Sequence, residues 1–295
     1  MPLVFAAIAP HGFPIIPHLS DDAEGGLVTR AAMHELGRRA KAARVESIVI
    51  AGPHGVRVEG SVCLADVSRA AGTLHWQDRF VEMNVPVDGE MTDRVAAEAR
   101  AASVPIALAG YAGNRRSQSV LPLDWGIMTP LWFLGHDRHL SGKGTVLADP
   151  PAEDIGPPAV IITPSRGVPR ETLVEFGRAV ARAAAGSERR VAFVASCDWA
   201  HTHRADGPYG FHPAAAEVDA LVVAAVRDGD PGRLIDLPEQ AATDAAIDGL
   251  WQTLMLAGVL EEVTMRHDVI SYEAPTYYGM LVAAYEPTVS SEERV

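Results

Sequence analysis

The sequence predicts an α/β fold: a single domain over residues 1–295, with a mostly parallel central sheet flanked by helices and a smaller antiparallel ribbon. Three observations lead there. Short continuous apolar runs such as Leu3–Ala9 and Ser47–Ala51 suit strands buried on both faces. Between those two runs lies a stretch with apolar residues at helical spacing (Leu27, Ala31, Leu36, Ala40), so the chain opens β-α-β, the signature of a parallel sheet. No tandem repeat and no Pro/Gly/Ser-rich linker divides the 295 residues, a length one α/β domain can fill.

Taken in order, a strand is expected over 3–9, a helix over 25–44 and a strand over 47–51. The stretch 56–67 alternates and reads as the antiparallel ribbon. A helix over 90–102 precedes a short strand over 104–108, and a further helix covers 127–134. Residues 136–158, rich in Gly, Pro and charge, read as a long surface loop. A strand over 159–163, a helix over 168–185 and a strand over 190–195 continue the alternation. Helices over 213–227 and 244–260, then closing strands over 269–272 and 280–285, complete it.

Composition narrows the function. Lys and Arg number 25 against 38 Asp and Glu, a formal net charge of −13, which repels nucleic-acid backbones and anionic membrane surfaces. The two cysteines, Cys63 and Cys197, form no CxxC pair, as expected of a reducing compartment and against a thiolate zinc site. No apolar run reaches the roughly 20 residues of a membrane span. The apolar start, residues 1–9, lacks a basic leader, so a cytoplasmic location is expected. There is no GxGxxG after a strand, no P-loop, no GxSxG elbow and no HExxH.

What remains is an echo. Ala9-Pro-His11-Gly12 follows the first strand and Gly52-Pro-His54-Gly55 the second. One such histidine could simply cap a strand. Two, each set between a ladder-ending proline and a turn-permitting glycine, at the carboxyl ends of strands expected to be adjacent, would bring two imidazoles to one crevice. A third segment, Ser196-Cys-Asp198-Trp-Ala-His201-Thr-His203, follows another apolar strand. It offers a further ligand or a general acid/base, with His201 favoured because it lies nearer the strand. Two histidines with one carboxylate and open positions suit ferrous iron. The candidate acids are Asp248, rigidly placed before an apolar helix, then Asp244 and Glu273. Asp248 alone would also read as a helix N-terminal acid. The remaining histidines, His18, His34, His75, His136, His139, His212 and His267, lack such contexts.

These motifs, in this order over nearly the whole chain, resemble the class III extradiol ring-cleavage dioxygenases, with the catalytic subunit of protocatechuate 4,5-dioxygenase as the general pattern. The resemblance implies non-haem Fe(II) held by His11, His54 and a carboxylate best matched by Asp248, with His201 as the catalytic histidine. It also implies a catechol-type or 2-aminophenol-type substrate opened by O2, homo-oligomerisation, and in some relatives a small second subunit. Two departures stand out. An aspartate occupies the place where glutamate is usual, and Asp124-Trp125-Gly126 replaces the Asp-His-Gly of many relatives. The same ligands would also accept zinc or manganese, and the scaffold is similar to that of zinc-dependent relatives and of Memo-like binding proteins. Tyr272, Tyr277 and Tyr278 are expected either in the pocket wall or in packing against the closing strands.

Overall fold

A computed structural model describes residues 3–21, 25–137 and 155–288. Its elements alternate as expected. Strand β1 (Leu3–Ala9) leads through helix α1 (Leu27–Ala42) to β2 (Ser47–Ala51). Then come β3 (Val62–Ala65), β4 (Arg69–Trp76), β5 (Arg79–Pro86), α2 (Gly89–Ala101), β6 (Ile106–Ala109), β7 (Val120–Pro122) and α3 (Trp125–Leu131). The second half holds β8 (Ala159–Pro164), α4 (Arg170–Ala185), β9 (Val191–Ser196), α5 (Ala214–Arg227), α6 (Glu239–Asp244), α7 (Leu250–Glu262), β10 (Met265–Glu273) and β11 (Met280–Pro287).

Eight strands form one sheet in the order β10-β11-β1-β9-β2-β8-β3-β6, and three form a second, β5-β4-β7. The central four, β1, β9, β2 and β8, run parallel, and every residue of each is buried, as their unbroken apolar sequences require. Strands β11 and β3 pair antiparallel on either side of this block. One face of the sheet packs on α2, α4, α5 and α7, the other on α1, α3 and the small sheet.

Three expectations are corrected. The antiparallel ribbon is β4–β5, residues 69–86, not 56–67; Val62-Cys-Leu-Ala65 is instead a fully buried strand of the main sheet. The ribbon's two-residue turn, with Gln77 at φ +54°, uses Gln-Asp, which carries none of the Asn-Gly or Asp-Gly signal of such turns. Secondly, β1 and β2 are not adjacent, because β9 lies between them. The helix expected over 244–260 is two: α6 ends at Asp244, and α7 begins at Leu250. The expected loop over 136–158 lies mostly outside the described residues, as does His139.

The contact that matters most for the site is between α4 and α7. A methyl on Gly177 would lie 1.9 Å from the Met255 carbonyl oxygen, and one on Gly258 1.9 Å from that of Val174. The two helix backbones therefore touch at their glycines, which fixes where the start of α7 meets the sheet edge.

Candidate metal centre

The three central strands end level. Ile8 pairs with Ala195, Ala9 with Ser196, and Ala51 with Ala195, so the residues that follow β1, β9 and β2 emerge at one edge. That edge carries His11, His54 and the Asp198–His201 segment. Intervening β9 spaces the two Pro-His-Gly turns without separating their rings, whose centroids lie 5.3 Å apart at 77°. The two glycines serve different ends. Gly55 takes φ +100°, whereas a methyl on Gly12 would fall 2.2 Å from the Tyr278 hydroxyl.

Donor atoms of His11, His54 and Asp248 all lie within 4.8 Å of one another. His11 Nε2 stands 3.4 Å from Asp248 Oδ2; cis donors on an ion with bonds of about 2.1 Å sit roughly 3 Å apart. The tautomer of His11 follows from its neighbours. Ser196 Oγ donates its proton to the Gly126 carbonyl, so at 3.1 Å from His11 Nδ1 it can only accept. Nδ1 therefore carries hydrogen, and in the neutral ring that a metal ion would require Nε2 presents its lone pair to the cluster. The His11 backbone N–H is tied to Asp198 Oδ1 at 3.0 Å.

Charge calls for a cation here. Burial alone would depress the His11 pKa, but Asp198 and Asp248 overcome it and push it up to about 9. Burial, with help from Asp248 and against the pull of His11, raises Asp198 above the usual carboxylate range. His54 Nδ1 and Asp248 Oδ1 are buried without a hydrogen-bond partner. Two imidazoles, a carboxylate and two orphaned polar atoms suit a divalent metal, which supplies both the positive charge and the missing bonds.

The other candidate acids lie elsewhere. Glu273 Oε1 accepts from the Thr29 backbone N–H and hydroxyl, both at 2.7 Å, and so holds the first turn of α1. The Asp244 side chain accepts from Gln240. Asp248 does not cap α7; its Oδ2 faces His11 and, at 3.8 Å, His201 Nε2.

His201 is placed from behind. Its Nδ1 is 2.9 Å from the Ala246 carbonyl, an acceptor only, so Nδ1 bears the proton and Nε2 faces the cleft with a free lone pair in the neutral ring. Ala246 itself adopts φ +49°, unusual for a residue with a side chain, and the strained turn aims that carbonyl. His203 points away. Its Nε2 lies 2.8 Å from Asp219 Oδ2, which also accepts from the Tyr272 hydroxyl at 2.7 Å, while Oδ1 accepts from the Ala200 N–H at 3.0 Å. Asp219, 1% exposed, thus anchors the loop on both sides of His201.

A cleft of about 470 Å³ opens over the cluster. Tyr278 stacks on His201 (5.7 Å, 24°), Tyr277 and Tyr209 stand beside it, and Trp125 leans on His54 at 4.5 Å. Tyr277 and Tyr278 are thus pocket residues, whereas Tyr272 belongs to the Asp219 network. Several groups escaped sequence reasoning, among them Tyr209 and Asp219, which no motif marks. Ser196 was visible only as part of its motif. Trp76 comes from the misplaced ribbon. Arg166, in the turn after β8, has no motif around it. Of the other histidines, His212 accepts from the Ala214 N–H at the start of α5, and His18 lies in a separate hollow with Asp21 and Arg79. Among the described residues, no helix is long and apolar enough to cross a membrane.

Comparison with known proteins agrees with this architecture. A protein of Clostridium acetobutylicum, CA_C1420, is 24% identical over 241 residues, covering 81% of this chain and 48% of its own length, so the chain spans about half of that relative. The crystal structure of the uncharacterized protein JW3007 from Escherichia coli K12 superposes with a TM-score of 0.57 at 16% identity, covering 95% of this chain and 99% of that one; the likeness is one of fold. The family model described as the catalytic LigB subunit of aromatic ring-opening dioxygenase matches residues 6–283, and the chain belongs to that family.

Proposed function

We propose that this protein is an Fe(II)-dependent extradiol dioxygenase that opens the ring of a catechol-type or 2-aminophenol-type substrate with O2, using His11, His54 and Asp248 to hold the metal. The observation that carries this reading is the meeting of two histidines and one carboxylate, with His201 Nε2 facing the same acid. A bound ferrous ion would supply the chemistry that side chains cannot: acidifying the diol and passing electrons from ring to dioxygen. Both oxygen atoms enter the product and the ring provides all the electrons, so no external reductant is required.

The chain's own residues do the rest. His201 Nε2 accepts a proton from the substrate hydroxyl and returns it later in the reaction, held in register by Ala246 through Nδ1. Tyr278, Tyr277, Tyr209 and Trp125 form aromatic walls that orient a flat ring and limit water. Ser196 keeps His11 in the ligating tautomer.

The test is anaerobic loading with Fe(II), then oxygen uptake and absorbance scans against catechols and 2-aminophenol. A new yellow, pH-sensitive chromophore with stoichiometric oxygen consumption is the expected result. Turnover with zinc alone would transfer the function to a zinc enzyme. Tight metal binding with no turnover of any member would favour a binding protein on this scaffold.

A further inference from the structure

Two hollows meet at His54. One is the aromatic cleft of about 470 Å³. The other, about 10 Å³, lies between the β8–β3–β6 end of the main sheet and the small-sheet strand β7, and reaches Ile127 at the start of α3. Of the residues that line the cleft, His54 alone also lines this cavity, so the two approach the metal centre from different sides. The cavity wall runs outward to Val56, 37% exposed, and to half-buried Ala109. The cavity therefore leads from the protein surface to a proposed metal ligand.

Side-chain size explains why the space exists. Ala65 of β3 pairs with Ala109 of β6, and Cys63 of β3 with Thr163 of β8. Cys63 and Ala65, like Ile161 and Thr163, are two positions apart and so share one face of the sheet. Leu121 and Leu123, from the side of the small sheet, complete the wall. The two alanines end at Cβ, and a gap remains where larger side chains would meet those leucines. The wall also offers water little. A water held inside a protein needs about two to four polar partners. Here Thr163 Oγ1 already donates to the His54 carbonyl at 2.8 Å, and Asp124 Oδ1 accepts from the Gly126 N–H at 2.7 Å. Burial pushes the Cys63 thiol up, so it stays an unreactive part of the wall.

We infer that this cavity is a port for dioxygen: it takes up a small apolar gas and passes it to the metal centre beside His54 while the aromatic substrate fills the cleft. The need for O2 rests on the ring-opening reading; the path rests on the cavity alone. Size selects the guest. About 10 Å³ is the room of one water-sized molecule, which dioxygen nearly matches in width and which no aromatic ring can enter. Polarity selects it too, since an apolar cavity stays dry and takes up nonpolar guests. The aromatic substrate is what makes a second entrance useful. A ring seated over His11, His54 and Asp248, between Tyr277, Tyr278 and Trp125, obstructs the cleft, and the second reactant then arrives by another way.

The first readout needs no turnover. Methyl NMR of the zinc-loaded protein, whose metal is redox-silent, is recorded under rising O2 pressure. Paramagnetic relaxation should build up at the methyls of Ile127 and Ile161 and stay low at Leu254 and Leu256 of α7, all four buried. Two variants fill the space: Ala109→Leu on the half-buried edge strand β6, which tolerates a larger side chain, and Ala65→Val inside β3. Each should abolish the O2 effect at Ile127 and Ile161. The second readout is steady-state kinetics of the Fe(II)-loaded protein with a catechol that it turns over. In each folded variant the KM for O2 should rise roughly tenfold, the low end of what one misplaced methyl group does in an apolar pocket, with iron content and the KM for the catechol unchanged. No O2 contact at Ile127 and Ile161 in wild type would overturn the inference. So would a KM for O2 within twofold of wild type in either folded variant. No oxygen uptake by wild type with any catechol would instead be a failure of the ring-opening reading, and the port would fall with it.

Discussion

Ser196→Ala tests the metal site through an atom that touches no metal. In the folded protein Ser196 Oγ stands between His11 Nδ1, at 3.1 Å, and the Gly126 carbonyl. Removing it leaves the Nδ1–H of a ring that is 1% exposed with nothing to donate to, a penalty of about 1–3 kcal/mol. The backbone at His11 should hold, because its N–H remains bonded to Asp198. The loss therefore falls on ring orientation and tautomer, and loss of such an outer partner weakens metal binding roughly 10- to 100-fold. The two estimates agree, since a tenfold change is about 1.4 kcal/mol. Anaerobic calorimetric titration with Fe(II), or with Mn(II) as a stable surrogate, measures it directly, and a thermal melt of the metal-free variant confirms the fold. A variant that binds metal within twofold of wild type would refute the claim that Ser196 sets the ligating form of His11.

His201→Phe should bind Fe(II) as wild type does while turnover falls by about 100- to 10,000-fold; unchanged turnover would remove His201 from proton transfer. Asp248→Ala should lose stoichiometric iron, whereas Glu273→Ala should keep it and cost only about 1 kcal/mol in the melt, because Glu273 serves the first turn of α1. Equal iron content in the two variants would misassign the third ligand. Asp219→Ala strands three donors in a buried site, on the order of 3 kcal/mol. At 2–4 °C per kcal/mol its melting temperature should drop by roughly 6–12 °C; a melt within 2 °C of wild type would show that the network bears little weight.

The parts legible in the sequence were those whose chemistry is local. Buried parallel strands announce themselves because both faces must be apolar, and the Pro-His-Gly turns because proline and glycine act on their own neighbours. Hence β1, β2, β8 and β9 and the two histidines could be placed without coordinates. The rest depended on pairing across the sheet. Nothing near His11 says that β9 comes between β1 and β2. The ribbon was misplaced because its Gln77-Asp78 turn is chemically plain, and Trp76 went unseen with it. The choice among Asp244, Asp248 and Glu273 needed the partners each acid keeps, which lie 4, 237 and 244 positions away in the chain respectively.

The aspartate at position 248 deserves a physical account, since a resemblance to enzymes that use glutamate would lead one to expect the longer acid. An aspartate reaches about 1.5 Å less far, one carbon–carbon bond, so the main chain must come closer to the histidines. Gly249 permits that approach. A methyl there would lie 2.7 Å from Cys197 Cβ and 3.0 Å from the Asp198 carbonyl oxygen, so the backbone before α7 rests directly on the residues that end β9. Farther along α7, Gly258 and Gly177 bring that helix into backbone contact with α4 and hold it down against the sheet. The short acid and the close glycines are therefore one device. Lengthening the acid without relaxing the helix pair would drive a carboxylate into His11, and opening the helix pair without lengthening the acid would pull it out of reach.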